Sequence, residues 1–592
     1  MKTFKLLLWM PLIAIGLCSC AKKVAPGNGN QNSGGGGNNG NGGSTTPYDS
    51  TYTPVDPAVA ATQGFFLDDW ATKSFTVPTA SAAAALIVNA TDTIWVDADV
   101  VLTKIPKYVF GANSNLWMGQ IVTQPSLMQY ITDLSPNVIR GPAGSVSDIY
   151  FFNSSSQPSD VPDTLLNGAG GSGPGGYWFG QNTQSWTLDI DNYYSLLQQT
   201  SSVGLQTVNF AYSRYGLSAD PVAAAAHLAA DWVRYDNGRT KFWEIGNEDY
   251  GNWEAGFVVD TSLSHYIQPP TITGTLYGSN FLVFADSMRA AAQGMGLTIK
   301  IGAILLASSS VGSNQVGNWN QGVLAASGSS PDFYIVHDYY PDEAYEQNSP
   351  GSQILSDAIS MPNSDMTFLL GNIPSAGTTV KPIAMTEFNI NSQGSQQQIS
   401  FVNGMAGVLT VGEQIKNHYG EASRWDLANS WAQGNDQGMF YNSAATGDPD
   451  PNESNWNPRA CFYTLYFFQR FLGDRMVSST SANSDLVAYS STFGGSSNIA
   501  SVIVNKGTVD KVVDININHY PMGTNFYFFT LVGGTDNGEF SARVSVNGVG
   551  PSQVIGGPLN YSAISANETP RSGNNLKVYC PARSILYVAV DK

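Results

Sequence analysis

The chain has 592 residues, 42% hydrophobic and only 12% charged, which is length enough for two or three domains and a large core. Its 45 Asp and Glu against 27 Lys and Arg give a formal net charge of −18, which argues against nucleic acid or an anionic membrane surface as a partner. Five His and four Cys show no HExxH, CxxC or paired-His spacing, so no metal site or disulfide scaffold is expected.

At the N-terminus, Lys2 and Lys5 precede an apolar run from Leu6 to Leu17. The run is short for a membrane span and reads as the core of an export signal over residues 1–19. It ends in Leu17-Cys18-Ser19-Cys20, which resembles the bacterial lipobox. That resemblance implies that Cys20 becomes the lipidated first residue of the mature chain; an ordinary signal peptide with a chance Cys is the competing reading. From Gly27 to Thr46 nearly every residue is Gly, Asn or Ser, a composition that cannot bury enough apolar surface to order itself. Residues 20–60 are therefore expected to tether a soluble body to the bacterial envelope, with the lipid as its only membrane contact. Ala21-Lys22-Lys23 lacks the Asp that favours inner-membrane retention, which points to the outer membrane.

Residues 61–105 contain the strand-like run Thr93–Leu102 and are expected to supply N-terminal strands to a β-sandwich. Over 106–473, β-rich runs alternate with helical ones. Strands are predicted at Tyr108–Gly111, Val138–Gly141, Thr207–Ala211, Phe242–Gly246, Ile299–Ile304, Phe333–His337, Pro382–Glu387 and Leu427–Trp431. Helices are predicted at Ala223–Tyr235, Phe281–Gly294, Gln398–Tyr419 and Arg459–Leu472. Eight strands alternating with helices argue for an α/β fold, a (β/α)8 TIM barrel. A doubly wound sheet is the rival, but no GxGxxG follows a first strand. Over 474–592, short alternating strands separated by Gly, Asn and Asp predict an appended antiparallel β-sandwich. They include Leu486–Ser491, Ile499–Asn505, Val512–Asn518, Asn525–Leu531, Phe540–Val546 and Ser584–Val590. Cys461 and Cys580 are left as either a bridge or two buried thiols.

Two segments carry chemistry. Phe242-Trp-Glu-Ile-Gly-Asn-Glu248 is a strand that delivers Asn247 and Glu248 at its C-terminal end, where barrel active sites are built. Pro382-Ile-Ala-Met-Thr-Glu387 does the same for Glu387. Two carboxylates on separate strands suit retaining glycoside hydrolysis, in which one protonates the leaving oxygen and the other attacks the anomeric carbon, about 5–5.5 Å apart.

The pair WEIGNE and TEFN resembles the clan A glycoside hydrolases, nearest to the α-L-arabinofuranosidase type, from about Ile94 to the C-terminus. Supporting matches are Val138-Ile-Arg-Gly-Pro-Ala-Gly144 and Phe333-Tyr-Ile-Val-His-Asp-Tyr339. The resemblance implies that Glu248 is the acid/base and Glu387 the nucleophile of a glycosidase acting on polysaccharide or oligosaccharide, with no cofactor. It further implies substrate-binding roles. Asn247 would meet the sugar 2-hydroxyl, Arg140 would keep Glu387 ionised, and His337 and Tyr339 would line the site. Trp431, read as the end of strand eight, would stack on a sugar face. Glu248, in a less polar setting, would hold its proton longer than Glu387. Two segments depart from the arabinofuranosidase pattern. Asn113-Ser-Asn115 stands where those enzymes carry a sugar-gripping Glu, and Pro142-Ala-Gly144 replaces Pro-Gly-Gly.

Glu244 reads as structural. Tyr250, Trp253 and Glu254 read as either subsite or loop packing, and the glycine-rich Asn167–Gly180 as either subsite or mobile loop. A non-catalytic glycan-binding lipoprotein on the same barrel, or a purely structural envelope protein, are the alternative functions. Turnover of glycosides that is lost on replacing Glu387 separates them from the enzyme.

Overall fold

The computed structural model describes residues 49–592 apart from 264–266, 309–317, 342–348, 432–433, 435 and 444. The export signal, Cys20 and the Gly/Asn/Ser run lie outside the described residues. Eight strands form the frame: Gly111–Asn113, Val138–Gly141, Val203–Val208, Thr240–Ile245, Lys300–Ile304, Phe333–Tyr340, Ile383–Ile390 and Glu421–Arg424. They pair in parallel and close into a barrel. Strand seven is buried at all eight positions, because a barrel strand meets side chains inside and helices outside.

A helix follows each strand: Pro125–Leu134, Ile190–Thr200, Pro221–Asp236, Gly274–Gly294, Trp319–Ser327, Gly351–Ser375, Phe401–Lys416 and Ala460–Phe471. The third shows how sequence sets the limits. Pro221 occupies the first turn, the Asp220 side chain accepts from the Ala223 N–H, and Asn237 closes the helix at φ +52°.

Three barrel strands differ from expectation. Strand three is Val203–Val208, beginning four residues before the expected Thr207–Ala211. Tyr108 and Val109 lie in a 3-10 turn, and strand one begins at Gly111. Strand eight is Glu421–Arg424, whereas Leu427–Trp431 contributes only the two-residue strand Ala428–Asn429, paired with Phe440–Tyr441. Strand eight is polar yet fully buried. The Ser423 hydroxyl donates to Glu421, so the apolar run that marks the other strands is missing.

The barrel floor is closed by a 3-10 turn, Gly64–Leu67. Phe66 is fully buried there against Val138, Leu205, Phe242 and Phe333, and the Ile383 N–H donates to Thr62 O. Residues 62–67 thus pack beneath the barrel rather than joining the β domain as strands. Residues 49–56, read as tether, lie along the β domain. Arg475 Nε meets Asp56 Oδ1 at 2.6 Å, and the Tyr52 ring meets Tyr520 edge-on. The low-complexity run ends before these aromatic and acidic residues begin.

Strand Asp92–Lys104 and those after Asp474 belong to one continuous eleven-stranded sheet, not to two separately paired antiparallel layers. Most pairs are antiparallel, but Asp92–Lys104 runs parallel to Lys511–Asn518. The sheet rolls over, because Leu576 at one end of the strand order shares a core with Phe526 near the other. Ala566–Pro570 and Asn575–Cys580 are strands not expected from the sequence, while Phe540–Val546 shrinks to Ser545–Val546. Cys580 is buried in this core and Cys461 in the barrel-side core, both as free thiols. Tyr489 OH donates to Leu409 O at 3.1 Å and Tyr587 OH to Thr464 O at 2.6 Å, fastening sheet to barrel helices. No helix among the described residues is long and apolar enough to cross a membrane.

Candidate active site

The C-terminal mouth of the barrel gathers six of the predicted site residues. Arg140 ends strand two and is fully buried. Its Nη1 donates to Glu387 Oε1 at 2.7 Å and to Asn113 Oδ1 at 3.1 Å, its Nη2 to Asn247 Oδ1 at 2.8 Å, and its Nε to Glu244 Oε2 at 2.6 Å. The planar fork suits this division of work. Glu244 is therefore structural in a specific sense: with Thr207 Oγ1 at 2.9 Å on the same oxygen, it fixes the guanidinium that faces Glu387.

After strand four the chain turns sharply. Gly246 has φ +81°, and a Cβ there would lie 2.0 Å from Asp249 Oδ2, so the turn needs glycine. Glu248 itself has φ +45°, a left-handed conformation of the kind held at functional sites by surrounding contacts. His337 Nδ1 lies 2.9 Å from Glu248 Oε1 and 3.8 Å from Glu387 Oε2, and its Nε2 is 3.0 Å from Thr386 Oγ1. Trp253 Nε1 donates to Glu248 Oε2 at 2.8 Å. Tyr339 OH donates to Glu387 Oε2 at 2.6 Å. A register shift between Val336 and His337 opposes His337 to Glu387 on the neighbouring strand.

Charge follows from these contacts. Burial pushes the Glu248 carboxyl up, but the hydrogen bond and charge of His337, with Trp253 and Arg140, bring it below its ordinary value. Burial pushes His337 down, but Glu387 and Glu248 more than offset this and raise it. These directions, Glu248 lowered and His337 raised, run against the expectation that a less polar setting alone would make Glu248 hold its proton longer. Burial, then the charge of Glu387, raises the Tyr339 hydroxyl well above its usual range, so it stays a donor.

Glu248, His337 and Glu387 bring three ligand-type atoms within 4.8 Å of one another. Arg140 and Tyr339 already donate to the two oxygens of Glu387, and Trp253 and His337 hold those of Glu248, so the donor set fits a carboxylate pair better than a cation.

Trp431 does not belong with this group. It is buried against Ile399 and Ala542. The tryptophan that follows strand eight is Trp425. Gly144, at φ +71°, lies against its ring, where a Cβ would stand 2.6 Å from Cη2. Trp117 meets it edge-on at 6.4 Å. Asn113 and Asn115 are buried, with the Asn113 amide donating to Thr386 O at 2.9 Å and that of Asn115 to Asp426 Oδ2 at 2.6 Å.

Behind the mouth, Glu254 Oε1 accepts from Asn247 Nδ2 at 3.0 Å and Ser145 Oγ at 2.8 Å. Glu254 is buried and so is part of the support for Asn247, not an open subsite.

No known protein family matches the chain, and no curated protein does. Solved structures do. An α-L-arabinofuranosidase from Thermotoga maritima, in an arabinose complex, superposes with TM-score 0.56 at 14% identity, covering 85% of this chain and 100% of that one. A family 51 α-L-arabinofuranosidase from Bifidobacterium longum gives 0.57 at 15% identity with the same coverage. A family 44 xyloglucanase from Paenibacillus polymyxa gives 0.55 at 11% identity, covering 85% and 99%. At these identities the likeness is one of fold, a parallel barrel with an appended β domain.

Proposed function

We propose that the chain is a retaining glycoside hydrolase acting on polysaccharide or oligosaccharide, with Glu248 as acid/base and Glu387 as nucleophile. The observation that carries this reading is the approach of the Glu248 and Glu387 oxygens to within 4.8 Å. Retaining enzymes place their carboxyl groups about 5–5.5 Å apart, whereas inverting ones leave about 6.5–9.5 Å for a water. The fold shared with arabinofuranosidases and a xyloglucanase supports the reaction class.

In the first step a Glu387 oxygen attacks the anomeric carbon, the bond to the leaving oxygen breaks, and Glu248 delivers a proton to that oxygen. The proton is drawn from the Glu248–His337 pair. In the second step Glu248 takes a proton from water, whose oxygen displaces Glu387 from the sugar. Arg140 and Tyr339 hold Glu387 in place throughout. Asn247, oriented by Arg140 and Glu254, faces the sugar 2-hydroxyl, and Trp425 takes the stacking role first given to Trp431. An arabinofuranoside is the first sugar to test, though the buried amides Asn113 and Asn115 leave no Glu after strand one to grip it. Lipidation at Cys20 and attachment to the outer membrane complete the proposal, supported by the leader sequence.

The test is a panel of aryl α-L-arabinofuranosides, β-xylosides and β-glucosides with xyloglucan and arabinoxylan. Cleavage lost in Glu387→Ala and partly restored by azide is the expected result. Glycan binding with no cleavage of any substrate would favour a non-catalytic receptor. Incorporation of labelled palmitate, abolished by Cys20→Ala, checks the anchor.

A further inference from the structure

The glycine-rich insert after strand two and the tryptophan after strand four meet beside the proton donor. Thr164–Leu166 and Ser172–Pro174 form a small antiparallel hairpin. Asn167 Oδ1 pins its turn by accepting from the N–H groups of Ala169 and Gly171 at 3.1 and 2.9 Å. The turn seats on the loop that carries Glu248. Gly168 N–H donates to Asn252 O at 3.1 Å, and a Cβ at position 168 would lie 2.2 Å from that oxygen, so the close approach needs glycine.

The next residue of that loop is Trp253. Its N–H is fixed on Glu248 Oε2 at 2.8 Å, and Tyr250 meets it at 6.2 Å and 85°. A Cβ at Gly251 would stand 2.3, 2.5 and 2.8 Å from Cε2, Cζ2 and Cδ2 of the indole. Such similar distances to three adjoining atoms place Gly251 over the ring face, not its edge. Trp253 is 54% exposed although Glu248, Tyr250 and Gly251 hold it on three sides, which assigns its exposed area to the face turned away from Gly251. An ordered indole with one bare face is a flat apolar platform with its entropy cost already met.

We propose that Trp253 and this hairpin form the leaving-group subsite and that its occupant is a sugar ring, so that the bond cleaved joins two sugars. This rests on the glycosidase reading above. The proton leaves from Glu248, so whatever is attached to the leaving oxygen lies on the Glu248 side, where the open face of Trp253 stands. Asn252, the residue before Trp253, and Asn167, in the hairpin turn seated on it, are both exposed, and amides near an apolar ring suit a hydroxylated sugar better than a purely apolar aglycone. Cβ atoms at Gly170 and Gly173 would meet nothing within 4 Å, so the wall is low and open, as a continuing chain of sugars requires.

The test uses the full chain with a glycosyl fluoride as donor, whose leaving group is too small to reach the platform. Xylo- and cello-oligosaccharides are added as acceptors. An acceptor enters through the leaving-group subsite, and Glu248 acts as base for acceptor and water alike. The ratio of transfer to hydrolysis therefore reports the subsite and cancels effects on Glu248. In Trp253→Ala this ratio is expected to fall about tenfold. It should fall little in Trp253→Phe, which keeps a ring but loses the N–H, and it should fall in Gly168→Val, which pushes the hairpin off Asn252. An equal ratio in wild type and Trp253→Ala overturns the inference while leaving the glycosidase intact. If the wild type turns over no glycosyl fluoride or aryl glycoside, the glycosidase reading falls and takes this inference with it.

Discussion

Arg140 donates through Nη1 to Glu387 Oε1 across 2.7 Å, with both side chains withdrawn from solvent. A buried carboxylate that loses such a partner is left uncompensated, typically at about 3–5 kcal/mol. Arg140→Met is therefore expected to be strongly destabilised in urea titrations. Arg140→Lys keeps the charge but cannot serve Glu244, Glu387, Asn113 and Asn247 at once. It should fold and lose about 10²–10³ in kcat, the usual loss on removing a preorganised donor. Near-normal kcat in Arg140→Lys would mean that the fork geometry does not matter to the chemistry.

The Glu248–His337 pair sets the alkaline side of the pH profile. The pair needs one proton to act as acid, and with His337 raised above its ordinary value of about 6.5 that proton is kept to higher pH than a free imidazole would keep it. The apparent value belongs to the pair, not to either residue. In His337→Asn the proton can reside only on Glu248. The alkaline limb of kcat/KM should then move down, because a carboxyl takes over from an imidazole as the group that holds the proton. A limb that stays in place would show that His337 takes no part in holding the proton.

Both carboxylates were legible because each follows a short, mostly apolar run, Phe242–Ile245 or Ile383–Thr386, of the length and composition of a buried strand. Arg140 was legible for the same reason. Strand eight was not, since Glu421, Ser423 and Arg424 satisfy one another or the neighbouring backbone inside the barrel and imitate a loop. The misplaced strand moved the expected platform six residues along, from Trp425 to Trp431. The contact between His337 and Glu248 was also hidden, because it depends on which side chain strand six turns toward the carboxyl. The register shift at Val336/His337 decides that, and it leaves no mark in composition. The rolled sheet escaped for a similar reason: alternation shows strands but not which of them pair in parallel.

The two tryptophans can be separated by experiment. Trp425 follows strand eight and lies against Gly144, so Trp425→Ala should lower kcat/KM about a hundredfold with little change in folding. Trp431 packs with Ile399 and Ala542, so Trp431→Ala should lower the thermal midpoint and leave kcat/KM within about twofold once folded. The reverse pattern would restore the first assignment.

Asp148 makes stability depend on pH. Burial pushes its carboxyl up to about 8, against the lowering effect of the Ala211, Asn247 and Phe210 N–H groups and Arg140. In the unfolded chain it titrates near its ordinary value of 3.8. Below that value both states carry the proton and nothing is lost. Between it and about 8 the folded state binds more protons than the unfolded one, so stability falls as pH rises, by up to about 1.4 kcal/mol per unit. Asp249 and Glu254 are raised by burial and by neighbouring carboxylates, with the same sign. Asp148→Asn keeps the shape and an oxygen to accept from Ala211 but has no proton to lose. Urea midpoints measured from pH 5 to pH 9 should fall in the wild type and fall less steeply in Asp148→Asn. Parallel slopes would show that Asp148 stays ionised in the fold, with its charge compensated by Arg140 and the three N–H groups around it.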